Sequence, residues 1–111
     1  MRYSYAAEKF AAARRCLMLP HSRGEAASIA DAFHECHLGL HELDRAELDD
    51  SADSWLRKLD ALMDVSELAS QGDGGQWQQK AETFTTDQKL ELSILIDELA
   101  YWFSDKNREG D

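Results

Sequence analysis

Valine occurs once and proline once among 111 residues, and isoleucine three times. So few β-branched apolar side chains leave little from which to build a sheet, and a single proline leaves long stretches without a helix breaker. Cysteine is nearly as scarce. Cys16 and Cys36 stand far apart in no metal-finger spacing, which excludes a disulfide framework and a zinc finger and predicts two free thiols. No apolar run approaches the roughly 20 residues that cross a bilayer. The opening Met1-Arg2-Tyr3-Ser4-Tyr5 leads into Glu8, Lys9, Arg14 and Arg15, which interrupt the apolar stretch a signal peptide needs. These absences predict a cytoplasmic protein with no membrane partner. Basic residues are outnumbered 22 to 12, and the resulting net charge of −10 repels phosphate backbones, so no nucleic-acid partner is expected.

What the chain has in quantity is Ala, Leu, Glu and Asp, a mixture that favours helices. Its length suits one domain with one core, spanning residues 1–111. The expected fold is all-α: a compact bundle of about four helices, roughly up-and-down, with a Gly-rich loop before the last long helix.

Periodicity places the helices. Tyr3, Ala6, Phe10, Ala13 and Leu17 recur at steps of three and four and predict a first helix from about Ser4 to Leu19, stopped by Pro20. Ser22-Arg23-Gly24-Glu25 has the form of a reciprocal capping box, opening a second helix that buries Ile29, Phe33, Cys36, Leu40 and Leu43. Asp50 or Ser51 caps a third helix with the stripe Ala52, Trp55, Leu56, Leu59, Leu62 and Met63, and its apolar pattern runs on through Val65, Leu68 and Ala69 toward Gly72. Gln71 to Gln76, with Gly72, Asp73, Gly74 and Gly75, reads as a loop; it lacks the lysine and hydroxyl of a phosphate cradle. Trp77, Ala81 and Phe84 then suggest a short helical turn closing over the core. Thr85-Thr86-Asp87-Gln88 is a second capping box, and a long last helix follows to about Ser104, with a polar tail, residues 105–111, expected to fray. On that last helix Leu92, Leu95, Ile96, Leu99, Trp102 and Phe103 form a broad core face, while Leu90, Ile94 and Tyr101 form a second apolar stripe nearly opposite. Either the helix is central or the stripe is an interface.

Three constellations invite chemistry. His34, His37 and His41 share one side of the second helix, and the i, i+4 pair can chelate a metal; Asp31 before His34 resembles one half of a di-iron ligand pattern. The second half is missing, because no histidine follows His41, so these three are candidate ligands without a complete set. Glu42, Asp44, Glu47, Asp49, Asp50 and Asp53 make an acidic surface at the turn before the third helix, suited to a basic groove but also to the helix macrodipole. Cys36 falls on a core stripe and acts as a small apolar residue. With no nucleophile–base arrangement, the chain is read as non-enzymatic, with no catalytic residue and no cofactor.

The expected function is that of a small cytoplasmic, non-catalytic protein–protein interaction or regulatory module acting through Leu90, Ile94 and Tyr101. A second copy is the first candidate partner, since two-fold homodimers are the commonest assemblies. Two other readings compete: an acidic inhibitor, antitoxin-like or immunity-like, that binds a basic partner, and a metal-binding helical bundle using the three histidines.

Overall fold

The computed structural model describes residues 3–41, 43–66, 68 and 75–110, and among them all regular structure is helical. Five α-helices and one 3-10 turn follow in order: α1 (Ser4–Cys16), α2 (Glu25–Leu40), the turn Arg45–Glu47, α3 (Asp50–Met63), α4 (Gln76–Glu82) and α5 (Thr86–Gly110). No described helix is long and apolar enough to cross a membrane.

The apolar steps of each helix become one core. Ala6, Phe10 and Ala13 of α1 meet Ile29, Phe33 and Cys36 of α2, Leu56, Leu59 and Leu62 of α3, and Leu92, Leu95, Ile96, Leu99 and Phe103 of α5. Large rings fill its centre: Phe10 stacks on Phe103 at 5.2 Å between centroids, and Phe33 meets Phe84 edge-on at 6.0 Å. Such pairs add about 1 kcal/mol each to the area they bury. α1 packs between α2 and α5, α3 packs on the far side of α5, and α4 packs on α2. Gly39 lets α1 come close to α2, since a Cβ there would stand 3.0 Å from the Cβ of Lys9.

Helix ends show where local chemistry overrides the apolar pattern. α1 stops at Cys16, three residues before the expected Leu19, because the amides of Leu17 and Met18 turn back to the carbonyls of Arg14 and Arg15 and tighten the chain ahead of Pro20. The capping box expected at Ser22 does not form. Gly24 is the N-cap of α2, with a φ of 99° that favours glycine, and the Glu25 carboxylate pairs with Lys89 at 2.6 Å instead of reaching back. The cap of α3 is Asp49, one residue before the expected Asp50 and two before Ser51. α3 ends at Met63, short of Val65 and Leu68, where the Asp64 carboxylate accepts from the Ser66 amide and stabilises a turn. The predicted continuation to Ala69 and most of the Gly-rich loop lie outside the described residues. The second capping box forms as read: the Thr85 amide donates to Gln88 Oε1 at 2.8 Å, and the Gln88 amide donates to Thr85 Oγ1 at 3.1 Å. α5 extends to Gly110, six residues beyond the expected end at Ser104, and an Arg108–Asp105 ion pair lies along the segment expected to fray.

Asp49 joins two elements at once. Its carboxylate accepts from the Ala52 amide at 2.9 Å, capping α3, and from the Trp102 indole at 3.1 Å, tying that cap to α5. The Ala52 bond, followed by the indole and Lys106, outweighs partial burial and holds the Asp49 carboxyl below the ordinary aspartate range. Its contribution to stability is therefore complete at neutral pH and is lost as the pH falls through that lowered value. Replacing Asp49 by Ala is expected to cost about 1–2 kcal/mol, the usual worth of a lost N-cap. Thermal unfolding at pH 7 measures the loss, and the difference from the unmodified chain should shrink in acid.

Candidate functional site

α5 is apolar on two faces, and the structure separates their roles. Leu92, Leu95, Ile96, Leu99 and Phe103 are buried, whereas Leu90, Ile94 and Tyr101 are 59%, 53% and 69% exposed. The sequence left open whether this helix is central or carries an interface stripe; it is packed between α1 and α3 and also shows that stripe to solvent. The stripe follows steps of four and seven, so its side chains share one side of the helix.

α1 runs antiparallel to α5 along this side, because Tyr3 lies against Trp102 and Phe103 while Arg14 reaches Asp97. Between them runs a groove. One part, about 790 Å³, is lined by Ala11, Arg14, Arg15, Asp97, Glu98, Ala100, Tyr101 and Ser104. The next part, about 340 Å³, is lined by Arg14, Leu17, Met18, Ser93, Ile94 and Asp97. Arg14 Nε donates to Asp97 Oδ1 at 2.6 Å where the two parts meet. Met18, 60% exposed, adds an apolar side chain to the stripe. Sequence reasoning did not include Arg14, Asp97 or Met18 in this surface. Ala11, Arg14 and Met18 do recur at steps of three and four along α1 and the turn after it, but nothing in the linear order says that this row flanks α5.

The histidines meet an aromatic ring. His34, His37 and His41 are exposed, and Trp77 of α4 lies 6.4 Å from the His34 ring and 5.7 Å from the His37 ring. His37 and His41 are 6.5 Å apart. Asp31, the acid one turn before His34, is held by Arg23. Among the described residues no three His, Cys, Asp or Glu side chains gather in a way that would hold a metal.

The acidic turn is internally bonded. Asp44 accepts from the Ala46 amide at 3.0 Å, Asp49 caps α3, and Asp53 pairs with Arg57 at 2.8 Å. Arg45 clamps Asp60 through two bonds of 2.7 and 3.1 Å, fixing the 3-10 turn against α3. Glu47 and Asp50 are exposed, and Glu42 lies outside the described residues.

Cys36 is fully buried in the α2 core stripe, and burial pushes its thiol far above the ordinary range. Cys16 is half-buried, and burial, then Asp31 and Glu35, raise its thiol as well. Both are free. A thiol reagent at pH 8 is therefore expected to modify Cys16 slowly and Cys36 at least about tenfold more slowly, with both reacting at once in denaturant. Mass mapping of the labelled residues over time would show it; faster labelling of Cys36 would contradict its burial in the core.

Comparison of the chain with family models, with curated proteins and with solved structures finds no match.

Proposed function

We propose that this chain is a non-catalytic protein–protein interaction module that docks through the outer face of α5, centred on Ile94 and flanked by Leu90 and Tyr101. The observation that carries the reading is the exposure of these three large apolar side chains, each more than half open to solvent, on the side of α5 away from its buried face. Scattered apolar residues are ordinary on protein surfaces, but a row along one helix, with Met18 beside it, is a surface that gains by being covered. Burial recovers about 25 cal/mol for each Å² of apolar area removed from water.

The acidic surface supports this choice over an inhibitor of a basic partner. Asp44, Asp49 and Asp53 are spent on their own backbone or on Arg57, which is what acids do when they cap and solvate a turn. The module is read as cytoplasmic, where two free thiols stay reduced.

Ile94→Lys tests the reading. Ile94 is exposed, so the substitution is expected to change stability by no more than about 1 kcal/mol, as surface changes do. Tagged chain and tagged variant, each loaded on a column and challenged with cell extract and, separately, with untagged chain at high micromolar concentration, should differ in one protein, from the extract or the chain itself, retained by the unmodified chain and lost by the variant. The same proteins bound equally by both in either challenge would overturn it, and an extract partner that both bind and that salt releases would favour the acidic surface.

A further inference from the structure

The face formed by α1 and α5 carries its side chains at fixed levels, and these levels decide what can cover it. Arg14 bonds Asp97, Ala11 and Tyr101 line the groove to one side of that pair, and Met18 and Ile94 line it to the other. We propose that the occupant is a second copy of this chain, related by a two-fold axis that runs along the groove between α1 and α5, parallel to both helices. The proposal rests on the reading of this face as a docking surface, and it adds the identity of the partner and the register of the contact.

Charge complementarity selects this axis. Rotation about an axis parallel to the helices keeps every residue at its own level and sets α1 of one copy opposite α5 of the other. Arg14 then faces the partner's Asp97, and Asp97 faces the partner's Arg14. Within one copy these two groups already lie 2.6 Å apart, so the dimer closes a ring of four charges that alternate in sign. Arg15 and Glu98 line the same groove and add one more charge of each sign to the face. The apolar levels match as well: Tyr101 falls over the partner's Ala11, where a methyl group leaves room for a ring, and Ile94 falls over the partner's Met18. An in-plane axis at right angles to the helices, crossing at the level of Asp97, would instead stack α5 on α5 and bring Asp97 against the partner's Asp97. Like charges at the centre of an interface oppose that arrangement.

Size sets the expected strength. The 13 residues of α1 give a face about 20 Å long and two helices wide. That is no larger than the standard specific interface of about 800 Å² on each partner, so a weak dimer, on the order of tens of micromolar, is the strength to look for first.

Sedimentation equilibrium of the full chain from about 5 to about 500 µM reads this directly. The 12.6 kDa chain should pass from monomer to dimer over that range, and a chain still monomeric at the top would overturn the proposal. Two surface variants then test the charge contact: Arg14→Glu with Arg15→Glu, and Asp97→Arg with Glu98→Arg, each checked for unchanged helicity by circular dichroism. Each alone is expected to dimerise at least about tenfold more weakly, whereas an equimolar mixture should form a heterodimer within about threefold of the original constant. A mixture that stays monomeric, or an Ile94→Lys chain that still dimerises, would overturn it. A monomeric chain that nonetheless captures a partner lost by Ile94→Lys would leave the docking face standing and remove only the second copy as its occupant.

Discussion

Burial of α5 along nearly its whole inner face is the constraint on which the other elements depend. Leu92, Leu95, Ile96, Leu99 and Phe103 leave almost no surface to water, and they achieve this only because α1 covers one side and α3 the other. α1 is suited to the task by being small: Ala6 and Ala13 let its backbone approach, and Phe10 supplies the one large ring that stacks on Phe103. Behind α1, Gly39 lets α2 close in to the same degree. The packing order α4, α2, α1, α5, α3 therefore runs as a series of neighbours, with α1 and α5 in the middle.

Much of this was legible from spacing. The core rows of all four long helices are the apolar rows seen in the sequence, because a three-and-four step admits only one buried side at helical pitch. The Thr85–Gln88 box was legible for the same reason that it forms: both partners lie three residues apart and answer each other. The box at Ser22 has the same letters and does not form, since the helix is capped two residues later by Gly24 and Glu25 pairs with Lys89, a residue distant in sequence. Asp64 ends α3 early through a bond only two residues long, against an apolar pattern that continues. Local pattern thus predicts where helices lie better than where they stop, since ends are decided by single hydrogen bonds of about 1 kcal/mol that distant side chains can redirect.

The surface was legible in halves. Leu90, Ile94 and Tyr101 stand out on α5 alone because no core needs them, but the groove needs α1 beside them, and Arg14 and Asp97 are 83 residues apart. The histidine row was visible as a row, while its neighbour Trp77 lies on a different helix beyond a Gly-rich stretch. What a linear pattern supplies is the composition of each face; which faces share an edge comes from the packing order.

α4 hangs on that order differently from the rest. Seven residues long, it rests on α2 through Trp77 against Phe33, with Phe84 just beyond its end against the same ring. A helix so short has little cooperativity of its own. Its opening can thus be a local event, one that uncovers Phe33 and separates Trp77 from His34 and His37 while the α1–α5–α3 layer stays closed. The amides of α4 would then exchange with solvent well before those of α5, and the protein would present two surfaces of different character: a rigid one built on α1 and α5, and a hinged aromatic flap on α2.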